Sequence, residues 1–193
     1  AKAGDVAKAK ESFSALIGAG IQPDVTSYIS VVRACVTARR MDQAEGWLAD
    51  TLKEPIIDVL NCMINGYGRT GEPQKATATF RSFRVHGLQP SLQSYNAVIH
   101  ANAEAGDMEA ALKLFDDLRD RTNLRPDKLT YESIIFGFGL RRDTDRCEEW
   151  MERMRMDGVR PDPVTYSVLL RGFEKSQDFA KAEQVIMRMK EDG

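Results

Sequence analysis

Residues 158–166 read GVRPDPVTY, and the same phrase stands at 20–28 (GIQPDVTSY), at 87–95 (GLQPSLQSY) and at 123–131 (NLRPDKLTY). Working outward from it, three further columns hold the same register. Small residues fall at Ala9, Ala44, Ala76, Ala111, Cys147 and Ala182, and large apolar ones four positions later at Phe13, Leu48, Phe80, Phe115, Met151 and Ile186. A Tyr or Leu stands at Tyr28, Leu60, Tyr95, Tyr131 and Tyr166. The small column advances by 35, 32, 35, 36 and 35 residues, a period that marks a repeat architecture. The units are 1–24 (the tail of one repeat), 25–56, 57–91, 92–127, 128–162 and 163–193. At 53–57 the sequence KEPII replaces the Gly-x-x-Pro-Asp phrase, which predicts a tighter or distorted turn there.

Each unit carries a helical period twice. Tyr95, Val98 and Ile99 recur at i, i+3 and i+4, and Met108, Ala111, Leu112, Phe115 and Leu118 do the same one segment later. The first helix follows a Pro-containing turn, with Ser27, Ser94, Thr130 and Thr165 expected as its N-caps. Breaks such as Ala105-Gly106-Asp107 and Thr70-Gly71-Glu72-Pro73 separate it from the second, and Pro73 suits a first helical turn, where its missing N–H is not needed. Second helices end at Gly20, Gly87 and Gly158, residues free to take positive φ. One helix pair cannot bury its own apolar face, so the pairs must stack: the expected fold is all-α, a right-handed α-solenoid whose first helices line the inner surface. The opening helix then lacks a partner, so Val6, Ala9, Phe13 and Leu16 are expected partly exposed and able to drive end-to-end self-association.

Composition narrows the function classes. The 193 residues hold 27 Lys+Arg against 29 Asp+Glu, so the net charge of -2 gives no whole-chain attraction to nucleic acid or anionic membrane. Cys35, Cys62 and Cys147 lie far apart without a C-x-x-C, which argues against a disulfide framework or zinc site and for core filling. Met151, Met154, Met187 and Met189 read as core at helical spacing. Asp116-Asp117 and Glu148-Glu149 are sequence neighbours that diverge around a helix and make no metal site. His86 reads as a cation at a helix C-terminus, and His100 has no nucleophile or second histidine near it. No apolar run is long enough for a membrane span. No catalytic constellation, metal site or cofactor motif is evident, so the expected function is binding rather than catalysis.

The first helices read VLNCMINGYGRTG (59–71), SYNAVIHANAEAG (94–106), TYESIIFGFGLRR (130–142) and TYSVLLRGFEKSQ (165–177), and three of the four follow Pro-Asp or Pro-Ser. The tetratricopeptide W-x-x-L-G-x-x-Y helix is absent. The pattern closely resembles the pentatricopeptide repeat (PPR) family, over essentially the whole chain. The resemblance implies a module that binds single-stranded RNA at one base per repeat in organellar RNA metabolism (processing, stabilisation, splicing or translation), in a mitochondrion or plastid.

Geometry supplies candidates of its own. The apolar pairs Val31-Val32, Met63-Ile64, Val98-Ile99, Ile134-Ile135 and Leu169-Leu170 point into the core, so the neighbouring i, i+4, i+8 lines face the groove. These are Ile29-Arg33-Thr37, Asn61-Asn65-Arg69, Asn96-His100-Glu104, Glu132-Phe136-Leu140 and Ser167-Arg171-Lys175. Arg33, Arg69, Arg171 and Lys175 against Glu104 and Glu132 give a weak positive bias. By resemblance, a base is read by the first residue of each line with the last residue of the repeat: Asn96 with Asp127 for uridine, and Asn61 with Ser91 toward cytidine. Ile29, Glu132 with Asp162, and Ser167 depart from that pattern. The residues that sandwich a base map to Thr26, Asp58, Gln93, Leu129 and Val164, and the phosphate-contacting column to Lys2, Thr37, Arg69, Glu104, Leu140 and Lys175.

Each feature also has a simpler structural reading. Asn61 and Asn96 can satisfy backbone groups in a first turn, Asp24, Asp127 and Asp162 can be helix-entry residues, and the arginines can be solvated charges. A protein-gripping scaffold is the rival function, supported by the pI of 5.8 and the apolar strip of Leu129, Phe136 and Leu140. A third reading makes the chain the adaptor part of a larger enzyme.

Overall fold

The computed structural model describes residues 3–51, 57–177 and 179–192. Lys2 and the expected turn at 53–56 lie outside them, as do the side chains of Leu48 and Lys175. The described residues form eleven α-helices and no strand: α1 (Ala3–Gly18), α2 (Val25–Thr37), α3 (Met41–Thr51), α4 (Ile57–Thr70), α5 (Pro73–Val85), α6 (Leu92–Glu104), α7 (Met108–Arg121), α8 (Lys128–Leu140), α9 (Thr144–Met156), α10 (Pro163–Ser176) and α11 (Phe179–Asp192). The first helices begin at 25, 57, 92, 128 and 163, the first residues of the repeat units.

The chain divides into two compact units, Ala1–Pro90 and Ser91–Gly193. In the first, α2 packs on α1, α3 and α4, and α4 on α5. In the second, α8 packs on α6, α10 packs on α8, and α7, α9 and α11 each fold back on their own first helix. Within each unit the first helices therefore stack in succession, α2 on α4 in the first and α6, α8 and α10 in the second, as the unpaired apolar faces require.

The apolar columns meet in repeated clusters. In the first unit Phe13 lies edge-on to Tyr28 and Trp47, with ring centroids 4.9 and 4.7 Å apart. In the second, Phe115 does the same with Tyr131 and Trp150, at 5.3 and 4.8 Å. These trios lie three repeats apart in sequence, so one packing solution is used twice. Of the four residues expected to be partly exposed on the opening helix, Ala9 and Leu16 are half-buried, whereas Val6 and Phe13 are buried. Phe13 meets Tyr28 of α2 and Trp47 of α3, while Ile17 and Ile21 are the exposed large apolar residues at this end. The last helix also departs from the column: Val185 is buried, and Ile186 and Met187 are exposed, because α11 turns a neighbouring stripe to α10. Met151 and Met154 are core as expected.

Two turn types join the helices. After α5 and α9, Gly87 and Gly158 take φ of 70° and 77°, as the Gly-x-x-Pro phrase predicts. Between first and second helices a left-handed residue recurs at Arg39, Gly71, Gly106, Arg142 and Gln177. Three of these five carry a side chain at φ near 60°, so the turn geometry holds even where the residue opposes it. Close approach fixes a different glycine. A Cβ on Gly137 would sit 2.3 Å from Met108 Sδ and 2.9 Å from Ala103 Cβ, which lets α8 seat against the end of α6 and the start of α7.

Candidate nucleic-acid interface

The N-caps of the first helices are Asp24, Ser91, Asp127 and Asp162, not the serines and threonines three residues later. The helices start one turn earlier than expected, because the residue after Pro already accepts from the backbone. Asp127 Oδ1 takes the N–H of Thr130 at 3.0 Å, and the hydroxyl of Thr130 accepts from the N–H of Asp127 at 3.1 Å. Ser94 and Thr165 close the same reciprocal box with Ser91 and Asp162, and the Ser27 N–H donates to Asp24 at 2.8 Å. The helix-entry reading of Asp24, Asp127 and Asp162 thus holds.

Those caps also reach back into the preceding repeat. Asn96 Nδ2 donates to Asp127 Oδ1 at 3.0 Å, and the hydroxyl of Thr130 lies 2.6 Å from Asn96 Oδ1. The two groups expected to read one base are therefore in direct contact, tied by the threonine that closes the next helix. Asn96 is 5% exposed and Asn61 4%, so these two are not surface-facing, as groove geometry alone suggested, whereas Ser167 is exposed and Glu132 half-buried. Asn96 lies at the floor, where α6 and α8 meet. Asn61 differs from Asn96 in that its amide nitrogen and oxygen are buried without a hydrogen-bond partner among the described residues.

The next repeat has the same layout with different chemistry. Thr165 donates its hydroxyl to Glu132 Oε1 at 2.8 Å, and Asp162 Oδ1 takes the N–H groups of Val164 and Thr165 at 2.9 and 3.0 Å. Asp162 Oδ2 is ion-paired with Lys128. That ammonium, with the Thr165 N–H behind it, holds the Asp162 carboxyl down to about 2. The two carboxylates are thus accompanied by a cation that the sequence reading did not pair with them; Lys128 lies 34 residues from Asp162. Ser167 donates to its own helix at Pro163 O, 2.7 Å, and Ile29 is half-buried.

The five positions expected to sandwich bases, Thr26, Asp58, Gln93, Leu129 and Val164, are all exposed. Leu129 and Val164 stand out as aliphatic side chains 53% and 58% exposed. Arg33, Arg69 and Arg171 are exposed, as phosphate contacts must be. Beyond the readers, His100 stacks on Phe136 with centroids 5.7 Å apart, and His100 Nε2 lies 3.9 Å from Glu104. The cysteines have no ligand geometry. Burial pushes the Cys147 thiol up to about 12 and raises Cys35 and Cys62 as well. Among the described residues no cluster of His, Cys, Asp or Glu could hold a metal, and no helix is long and apolar enough to cross a membrane.

Family models place this geometry. Three of them match: a PPR repeat family over residues 90–140, a pentatricopeptide repeat domain over 151–193, and the PPR repeat over 58–88 and 129–159. The chain belongs to the pentatricopeptide repeat family. Among curated PPR relatives, a chloroplastic pentatricopeptide repeat-containing protein of Arabidopsis thaliana is 26% identical over 106 residues, 55% of this chain and 11% of that protein. The mitochondrial 15S rRNA processing factor CCM1 of Yarrowia lipolytica is 24% identical over 116 residues, 58% of this chain and 15% of the factor. The chain thus spans a small part of the relatives it matches. The crystal structure of maize PPR10 in complex with an 18-nucleotide psaJ RNA element aligns with 97% of this chain and 33% of PPR10, at a TM-score of 0.76 and 24% identity. The PPR domain of Arabidopsis thaliana protein-only RNase P 1, solved with tRNA, aligns with 83% of this chain and 86% of that domain, at a TM-score of 0.63 and 14% identity. The PPR solenoid is the shared fold.

Proposed function

We propose that this PPR chain is a non-enzymatic module that binds single-stranded RNA, each complete repeat addressing one base, in the RNA metabolism of a mitochondrion or plastid. The observation that carries the proposal is the Asn96–Asp127 contact. An amide and a carboxylate meet at the floor between two first helices. The amide retains one N–H and the carboxylate its Oδ2, a donor beside an acceptor, which suits the O4 and N3–H of uracil. The buried, unpaired amide of Asn61 supports the same use, since a base edge would satisfy groups the protein leaves without partners. Exposed Arg33, Arg69 and Arg171 supply the backbone contacts. The relatives, chloroplastic and mitochondrial by name, favour the organellar setting.

The His100–Phe136 stack with half-buried Leu140 favours a second reading, a scaffold that docks a protein helix. Binding of the purified chain to a randomised single-stranded RNA pool at two salt concentrations separates the two. RNA binding predicts an affinity that falls with salt, with a slope flattened by roughly one unit in Arg69→Ala or Arg171→Ala. Absence of RNA retention at low salt overturns the proposal and leaves the scaffold reading in front.

A further inference from the structure

The repeat spanning 128–162 departs most from the reading pattern, yet it alone among the described readers lies between two exposed aliphatic side chains, Leu129 on its own helix and Val164 on the next. The corresponding positions beside Asn61 and Asn96 include Asp58 and Gln93, which offer poor flat contact to a base. The best-built clamp for a planar ring therefore surrounds Glu132 and Asp162.

The polar groups in that clamp have a fixed sense. Glu132 Oε1 accepts from Thr165, and among the described residues no donor is placed on Oε2. Carboxylate oxygens only accept, so whatever meets Glu132 must present N–H groups. Lys128 supplies a donor, its side chain 45% exposed and its ammonium held by Asp162 Oδ2. Read along the clamp, the site offers a donor and then acceptors.

The base edges can be compared with that order. Guanine presents O6, then N1–H, then the 2-amino group: one acceptor followed by two donors. Uracil places a carbonyl oxygen on both sides of its N3–H, so one oxygen would face a carboxylate. Cytosine offers two acceptors and one amino group, and adenine sets N1 beside its amino group, so each leaves an acceptor opposed to an acceptor. Buried like-to-like oppositions of this kind reject a ligand more strongly than a missing contact does.

We infer that the Glu132–Asp162 slot selects guanine, with Lys128 addressing O6 and Glu132 accepting from N1–H and the 2-amino group, which makes Lys128 a specificity-determining residue. This inference rests on the RNA-binding reading above. The slot operates one repeat from the uridine site at Asn96 and Asp127, so the two bases are neighbours in the bound strand.

The test is selection from a fully randomised single-stranded RNA pool by the wild-type chain, Glu132→Gln and Lys128→Met, each checked for an unchanged helical circular dichroism spectrum. The wild type is expected to enrich a guanosine next to a uridine, with a preference of roughly tenfold or more over the other bases, the scale of one bidentate pair. Glu132→Gln and Lys128→Met should each dissolve the guanosine column and leave the uridine column standing. Inosine in place of that guanosine removes the 2-amino group and should weaken binding to the wild type; this arm needs no protein variant and stands even if both variants fail to fold. A wild-type uridine column without an adjacent guanosine, a guanosine column that survives Glu132→Gln, or inosine bound as well as guanosine overturns the inference. A pool with no column at all overturns the RNA-binding reading, and this one with it.

Discussion

Replacing Asn96 with leucine, which keeps the side-chain size but removes the amide, tests the triad at the repeat junction. Asn96 is buried and makes two hydrogen bonds, one to the carboxylate of Asp127 and one from the hydroxyl of Thr130. A hydrogen bond to a charged group contributes about 1.5–3 kcal/mol and a neutral one about 0.5–1.5 kcal/mol. Neither partner is left bare by the change. Asp127 Oδ1 keeps the Thr130 N–H at 3.0 Å, and the Thr130 hydroxyl keeps Asp127 Oδ1 at 2.9 Å. The loss is therefore smaller than the sum, about 1–2 kcal/mol, and a chain of this size should melt roughly 2–8 °C lower. Repeat arrays can unfold in parts, so urea denaturation is best paired with hydrogen exchange at the amides of Thr130 and Tyr131. Those amides should lose protection, whereas amides in α2 should not. A melting temperature within 1 °C of wild type, with unchanged exchange at Thr130, would show that the contact carries no net energy. Asn96 would then be replaceable at no cost to the fold.

Other perturbations test separate features. Gly106→Ala places a Cβ at φ of 83° and should destabilise by about 1 kcal/mol, whereas Arg142→Gly relieves the same strain and should stabilise by a few tenths of a kcal/mol, both read by urea titration. Gly137→Val drives a side chain into Met108 and Ala103, and a loss of about 1–3 kcal/mol is expected by the same measurement. The Asp162 carboxyl is held at about 2 in the folded chain against 3.8 ordinarily, so its contribution is present above pH 3.8 and is lost as pH falls toward 2. Asp162→Asn preserves a capping residue but removes the titration, and its stability should fall less steeply than wild type between pH 4 and 2; parallel curves would refute the assignment.

The helical layout was legible because period, Pro and Gly are local signals. The interior of the site was less so, for identifiable reasons. Groove geometry treats each first helix alone and so puts Asn61 and Asn96 at a surface; the burial of Asn96 comes with α8 and with partners such as Asp127 and Thr130, 31 and 34 residues away. Lys128 meets Asp162 only through the stacking of α8 on α10, a proximity no local window contains. The left-handed turns at Arg39, Arg142 and Gln177 were invisible for the opposite reason: packing of the flanking helices imposes the φ and overrides residue preference. Ile186 was assigned to the core by column position and Met187 by helical spacing, yet a terminal helix is free to rotate its stripe, and Val185 took the contact.

The reciprocal capping boxes bear on how such a protein can change its target. Asp127 and Asp162 each start a helix with the same carboxylate that the proposed function turns toward a base, and Ser91 caps its helix with its hydroxyl. A residue there must accept from a backbone N–H whatever base it faces, which confines it to the short polar side chains that begin helices well. Under the proposed function, the vocabulary available to half of each reader is thus set by helix-capping chemistry before RNA enters. A drift to Lys or Gln at these positions, however apt for a new base, would fray the following repeat at its first turn. New specificities are accordingly easier to reach through the partner on the helix, where Asn96 and Glu132 already differ, than through the cap.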